Sequence, residues 1–155
     1  MRDKRFIAEH RGGTLKKEQH RQLMQWGCDC AEHVLYFSGK EVDIRIMYAI
    51  TVAKEWIKGN ASVGEARDAS LGAHSVARES SNPTSIAVAR SVGHAVATAH
   101  MADHSLGAAL YALKAVKNAG KSIENEKNWQ NDQLPAEIVE LVKTARKKKE
   151  KALKI

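Results

Sequence analysis

The sequence predicts an all-α protein, built as a single compact helical domain of five or six helices. Alanine is the dominant apolar residue, aromatic residues make up only 5% of the 155 residues, and apolar positions recur at the three- and four-residue spacing of amphipathic helices. No segment alternates between apolar and polar residues for long enough to predict a strand. We expect residues 1–155 to form one domain, with a body at 6–145 and a basic tail at 146–155.

The positive charge lies at the two ends of the chain. The formal net charge is +7, of which residues 146–155 carry +5 and residues 1–5 carry +2, so the body is neutral. A neutral body lacks the basic face of a nucleic-acid-binding domain, and no aromatic residues accompany the tail for base stacking. The pattern therefore argues against a nucleic-acid partner, and we expect the tail to be a solvated, frayed helix end.

Neither a membrane span nor a secretory signal is predicted. No apolar run approaches the roughly 20 residues of a span, and the first residues lack the apolar core of a signal peptide. We therefore expect a cytoplasmic protein. Cys28 and Cys30 lie two apart in a helical pattern, which turns their side chains about 200° from each other, so we expect them to be reduced packing residues.

Turn residues mark the ends of the first two helices. Gly12-Gly13-Thr14 opens the first helical pattern, with Thr14 as the expected N-cap, and Ser38-Gly39 ends it. Asp43 begins a second helix, which runs to Gly59-Asn60.

The next two helices begin with stronger signals. Ser62-Val63-Gly64-Glu65 has the capping-box pattern, in which the serine and glutamate side chains each accept from an unpaired backbone amide. This third helix ends near Ser80. Asn82-Pro83 then begins a fourth, because proline at the first helical position loses no hydrogen bond.

The second half of the chain predicts two more helices and a loop. We expect a break at Met101-Asp103, with Asp103 as the N-cap of a fifth helix that reaches Asn118-Ala119-Gly120, since an aspartate buried without a partner would cost several kcal/mol. Residues 121–134 are polar and predict a loop held by Trp129, and Pro135 opens a last amphipathic helix.

Three histidines fall between residues 94 and 104, within an alanine-rich segment. His94, His100 and His104 flank an apolar stripe, so we expect at least two of them to be mostly buried and neutral at pH 7. His100 and His104 also have the i, i+4 spacing that lets two imidazoles bind one ion, if the helix is continuous. Structural hydrogen bonding, a binding surface, and a metal-binding or metal-dependent enzymatic site that uses these three histidines all remain open.

Other residues could belong to the same surface. His74 with Arg78, and His10 with Arg11, pair a histidine with a guanidinium close in sequence. The candidates for binding a partner or ligand are therefore His10, Arg11, His74, Arg78, His94, His100, Asp103 and His104. No residue is assigned as catalytic, and no cofactor is expected.

Three glycines lie inside the predicted helices. Glycine in a helix costs about 1 kcal/mol relative to alanine, so Gly72, Gly93 and Gly107 indicate places where another helix approaches closely.

Several motifs resemble, in order, those of the small all-helical Imm-5-like immunity proteins. They are His10-Arg11-Gly12-Gly13, Trp26 with Cys30-Ala31-Glu32-His33, Gly64-Glu65-Ala66-Arg67, Ala73-His74 with Arg78, Gly93 to His100, His104 with Gly107-Ala108-Ala109, and Trp129-Gln130 with Leu134-Pro135. The resemblance covers most of residues 6–142. It implies an α-helical domain that neutralises a toxin and brings no catalytic residue with it.

From the residues and this resemblance together, we predict a protein that acts by binding another protein, a toxin, rather than by catalysis. The sequence is also compatible with a homo-oligomer.

Overall fold

The computed structural model of the protein describes residues 2–153, and these contain seven α-helices. The helices are α1 (Lys17–His33), α2 (Ile44–Ile57), α3 (Val63–Glu79), α4 (Pro83–Ala97), α5 (His104–Asn118), α6 (Ile123–Asp132) and α7 (Val139–Leu153). Short 3₁₀ turns occupy Lys4–Phe6, Glu9–Arg11 and Leu35–Ser38. The all-α prediction is confirmed, but the predicted number of five or six helices is too low.

Four helices surround α4, which packs most extensively against α5 and α3 and also contacts α1 and α2, while α6 and α7 pack against α5. Two groups of buried side chains form the core. Small residues dominate the first group, between α2, α3 and α4, where Ala49, Ala66 and Ala73 are fully buried. Larger residues, among them Trp26 and Leu106, fill the second group between α1, α5 and α7. Alanine therefore permits the close helix packing on the α2–α3 side.

The caps of α2, α3 and α4 are those predicted. The Asp43 carboxylate accepts from the backbone amide of Arg45 at 2.9 Å. Ser62 and Glu65 form the capping box in both directions, at 3.0 and 3.1 Å. The Asn82 side chain accepts from the two amides that follow Pro83. Short-range side-chain hydrogen bonds thus fix these three helix starts.

The first helix starts later than predicted and ends earlier. Thr14 is not its N-cap: Lys16 holds that position, and its amide donates to the Gln19 side chain at 3.0 Å. Gly12, with a φ of 85°, and Gly13 instead close a tight N-terminal turn. A Cβ on Gly13 would lie 1.9 Å from the Ile7 carbonyl oxygen, so only glycine fits there. Beyond His33 the chain tightens into a 3₁₀ turn that ends at Gly39.

The break between α4 and α5 is confirmed, and Asp103 holds the N-cap position of α5, but its side chain does not form the capping hydrogen bond. Residues 98–103 form turns, and Asp103 has an α-helical conformation with no side-chain cap hydrogen bond. Its buried carboxylate is instead paired with the Nε of Arg2 at 3.1 Å. The N-terminal segment therefore supplies the partner that a buried carboxylate needs.

Most of the predicted loop at 121–134 is helical. Ser122 caps α6 by accepting from the Asn125 amide, and Glu124 and Glu126 lie in its first turn, where negative charge favours a helix start. Trp129 lies on α6 with its ring stacked on His33 at 3.5 Å. Gln130 is the buried anchor: its amide donates to the Ala109 carbonyl at 3.0 Å.

The last helix begins at Val139, four residues after Pro135, which opens a turn instead. It runs through Arg146 into the predicted tail, whose final Lys154 and Ile155 lie outside the described residues, as does Met1. Arg146 is only 2% exposed, and its guanidinium donates to the side chains of Gln130 and Asn131. The tail is therefore not solvated at its first residue.

The thiols of Cys28 and Cys30 are both free and buried, in accordance with their expected role as packing residues. None of the helices within residues 2–153 combines the length and apolar character needed to cross a bilayer.

Candidate functional site

Four histidines from α3, α4, α5 and the turn before α5 form a continuous row. The ring centroids of His74 and His94 are 5.4 Å apart, those of His94 and His104 are 5.3 Å apart, and those of His104 and His100 are 5.2 Å apart. The Nδ1 atoms of His94 and His104 lie 3.2 Å from each other, a hydrogen-bonding distance. The structure thus brings together the three histidines of the 94–104 segment and adds His74. We call this set the histidine row.

Two glycines make space for the row. A Cβ on Gly93 would lie 2.7 Å from the ring of His74, and a Cβ on Gly107 would lie 2.6 Å from Nδ1 of His94. Both glycines face an imidazole from the neighbouring helix, so the predicted close approaches exist at these positions. At Gly72 the nearest atom is the Arg45 Cβ at 3.8 Å, an ordinary contact, and no close approach occurs.

Burial lowers the pKa of every ring in the row. Desolvation lowers the pKa of His94 to about 3 and that of His74 to about 4, and neighbouring positive charges add to both shifts. The pKa values of His100 and His104 are lowered for the same first reason, although Asp103 opposes the shift at His104. These partly buried rings therefore favour their neutral form.

The outer end of the row is fixed by an arginine. The Arg90 guanidinium donates to Nδ1 of His74 at 2.7 Å, which places the proton of the neutral imidazole on Nε2. Arg78, which the sequence paired with His74, donates instead to the Ser75 hydroxyl at 2.9 Å and is exposed on α3. Arg78 therefore lies outside the histidine row, although its charge contributes to lowering the pKa of His74.

The i, i+4 geometry of His100 and His104 is lost because α4 ends at Ala97 and α5 begins at His104. Among the residues that the structure describes, no group of three or more histidine, cysteine, aspartate or glutamate side chains could hold a metal ion.

A cavity of about 1200 Å³ opens beside the His100 end of the row, and we call it the basic cavity. Its cationic lining residues are Arg2, Arg11, Lys17, Arg21 and Arg67, and its single carboxylate is that of Glu9. His10, His20, His100 and Trp56 also line it. The structure thus places the predicted candidates His10, Arg11 and His100 around one concave surface.

A second cavity, of about 810 Å³, lies beside the His94 end of the row. Arg2 lines both cavities, and Asp103, its partner, lines the second one with His94. Lys148 and Lys149 from α7 also line this cavity. The basic tail therefore contributes to a cavity wall.

Sequence reasoning missed several residues of the basic cavity. Lys17 and Arg21 lie at i, i+4 on α1, a spacing that marks one helix face and could have been recognised. Arg2, Trp56 and Arg67 come from three separate parts of the chain. No local pattern joins these three, because only the tertiary packing brings them together.

The family comparison gives one match. The model of the family described as Imm-5 like putative immunity protein matches residues 13–137. No curated protein and no solved structure matches the chain.

Proposed function

Because the chain belongs to the Imm-5 like immunity protein family, we propose that it neutralises a toxin by binding it directly, without catalysis, in the cytoplasm. The family match over residues 13–137 is the observation that carries this proposal. The partner is then a protein, as expected from the sequence.

The surface of α2 supports a protein partner. Ile44, Met47 and Tyr48 are at i, i+3 and i+4, so they share one face of the helix. Ile44 is 81% exposed and Tyr48 is 54% exposed. Apolar side chains that cluster on an exposed helix face are typical of protein interaction sites, and methionine and tyrosine are enriched there. We propose this face as one contact surface for the toxin.

The histidine row supports a non-catalytic role. Its rings are occupied by contacts with one another, with Arg90 and with the glycines of neighbouring helices. Such contacts fix ring positions and contribute to helix packing, which is a sufficient reason for histidines at these sites.

The test is to express the chain together with the toxin encoded by an adjacent gene. We expect rescue of growth, and a complex of the two proteins on size-exclusion chromatography. An Ile44→Lys/Tyr48→Lys double variant should weaken both, whereas Lys117→Glu, an exposed change on α5, should not. Rescue without a complex would contradict neutralisation by binding. The same chromatography shows whether the chain alone is a homo-oligomer.

A further inference from the structure

The basic cavity carries a local excess of positive charge that the body as a whole does not have. Residues 6–145 are neutral overall, yet four of their lysine and arginine side chains line this cavity with one carboxylate, and Arg2 from the N-terminal segment adds a fifth cation. Within residues 2–153, Arg2 is paired with Asp103, but no salt bridge joins Arg11, Lys17, Arg21 or Arg67 to a carboxylate. Positive charges in a concave surface reinforce one another and attract an anionic ligand.

Two of these cations are held in place by hydrogen bonds, Arg2 by the Asp103 carboxylate and Arg11 by the backbone. Arg11 donates to the His100 carbonyl at 3.3 Å, which holds its guanidinium against the turn between α4 and α5. Burial is the main cause of the lowered pKa of His100, and the positive charges of Arg67, Arg2 and Arg11 add to it. The charges of three guanidinium groups from different parts of the chain therefore act on one imidazole, and all three groups line the same cavity. Arg2 and Arg11, which these hydrogen bonds already position, lose less conformational entropy than free side chains when a ligand binds.

The cavity also has an apolar floor. Phe6, Leu15 and Ala102 are buried beneath the cations, and the partly exposed Trp56 ring packs against His20 at 4.9 Å. A ligand that matches this surface needs carboxylates or phosphates at its edges and apolar groups between them. The volume of about 1200 Å³ exceeds the roughly 300–1,000 Å³ of small-molecule pockets, which favours a segment of polypeptide.

We propose that the basic cavity binds an acidic segment of the partner protein, with aspartate or glutamate side chains paired with its arginines and apolar side chains on its floor. This inference rests on the proposed function, because it specifies the chemistry of the toxin that the chain would bind. The family match does not assign such a site.

The experiment measures the binding of a fluorescein-labelled peptide of mixed glutamate and leucine by fluorescence anisotropy. An Arg11→Glu/Arg67→Glu double variant should weaken binding about tenfold or more, because it places like charges against the peptide. A Lys117→Glu/Lys121→Glu double variant makes the same change in net charge at exposed positions in the last turn of α5 and just after it. We expect it to leave the affinity nearly unchanged. Lys17→Glu/Arg21→Glu provides a second test on α1, and circular dichroism checks that each variant is folded.

Equal weakening by the cavity and control variants would overturn the proposal, since it would show attraction by net charge alone. Tighter binding of adenosine triphosphate than of the peptide would also overturn it, in favour of a phosphate ligand. If Arg11→Glu/Arg67→Glu binds the toxin as well as the natural protein does, the cavity inference fails and the immunity function stands. If the peptide binds in the cavity but no toxin is bound, the immunity function fails instead.

Discussion

His94 lies against Gly107 so closely that a Cβ on the glycine would be 2.6 Å from the imidazole Nδ1. The imidazole of α4 thus occupies the space that a side chain at this position of α5 would fill. Because the glycine also costs helix stability, its position indicates that the packing of the imidazole offsets this cost.

The first prediction follows from this contact. We expect Gly107→Ala to destabilise the protein by about 1–3 kcal/mol, because the overpacked ring must move. Gly72→Ala is the matched control within α3: its Cβ would meet only an ordinary contact, so we expect it to be neutral or to stabilise by up to about 1 kcal/mol. Urea unfolding measures both changes. Equal effects at the two positions would contradict the steric explanation.

The second prediction concerns acid. The folded-state pKa values of His74 and His94 are about 4 and about 3, below the unfolded value of about 6.5. As the pH falls through 6.5, the unfolded chain binds protons that the folded chain does not, so stability decreases. We expect a loss of about 1 kcal/mol from His94 between pH 7 and 5.5, and less from the more exposed rings because solvent screens them.

The measurement is the melting temperature as a function of pH, with proton NMR titration of the imidazoles. A His94→Gln variant should have a shallower decrease between pH 7 and 5.5 than the natural protein. Rings that titrate freely near pH 6.5, with constant stability, would show instead that the row is solvated.

The third prediction concerns Arg146. Its guanidinium is 2% exposed, lies 5.8 Å from the Trp26 ring and donates to Gln130, Asn131 and Glu150. We expect Arg146→Ala to cost about 1–3 kcal/mol, because it leaves the buried Gln130 side-chain oxygen without its donor, whereas Glu150 keeps its ion pair with Lys127. The exposed neighbour Lys147→Ala should change stability by less than about 0.5 kcal/mol.

The same contacts divide the tail into two parts. Removal of residues 151–155 should leave the melting temperature nearly unchanged, whereas removal of 146–155 should lower it by more than a few degrees. A solvated tail, as the sequence alone predicts, would instead leave the fold intact after the longer deletion. Thermal unfolding, monitored by circular dichroism, distinguishes the two deletions. Equal melting temperatures would support the prediction of a solvated tail.

The fourth prediction concerns metal. We expect protein purified without a histidine tag to contain no stoichiometric zinc, iron or nickel, measured by elemental analysis. The alternative of a metal site at His94, His100 and His104 predicts one ion per chain, lost in His100→Ala. A zinc-dependent rise in melting temperature that His104→Ala abolishes would also favour that alternative.

Local signals predicted the fold where a few neighbouring residues determine it. The capping groups Asp43, Ser62 and Asn82 act within three residues, so the sequence specifies these helix starts directly. The sequence of α6 predicts a loop because the helix is polar and Gln130 is its buried residue. It therefore lacks the apolar residues at three- and four-residue spacing that indicate a helix. Its Ser122 cap and its acidic first turn were the available signal.

Long-range pairing accounts for the other errors. Asp103 is the predicted N-cap residue, but its carboxylate pairs with Arg2, which lies 101 residues away in the chain, and no local pattern indicates that pairing. Arg146 looked solvated because Gln130 and Asn131, which bind it, belong to a helix that was not predicted. The sequence identified His10, Arg11 and His100 as candidate site residues. That they line one cavity could not be predicted, because it depends on the turn between α4 and α5.

The hydrogen bond between Nδ1 of His94 and Nδ1 of His104 has a consequence for proton placement. A neutral imidazole carries one proton, so one ring must be the Nδ1–H tautomer and the other the Nε2–H tautomer. Either ring can be the donor, and the two arrangements have opposite dipoles. The charges of Asp103 and Arg2 act on His104 in opposite directions, so they set the balance between the two arrangements. Nitrogen-15 chemical shifts of the two rings would report that balance, and would change if a ligand in either cavity alters the local field.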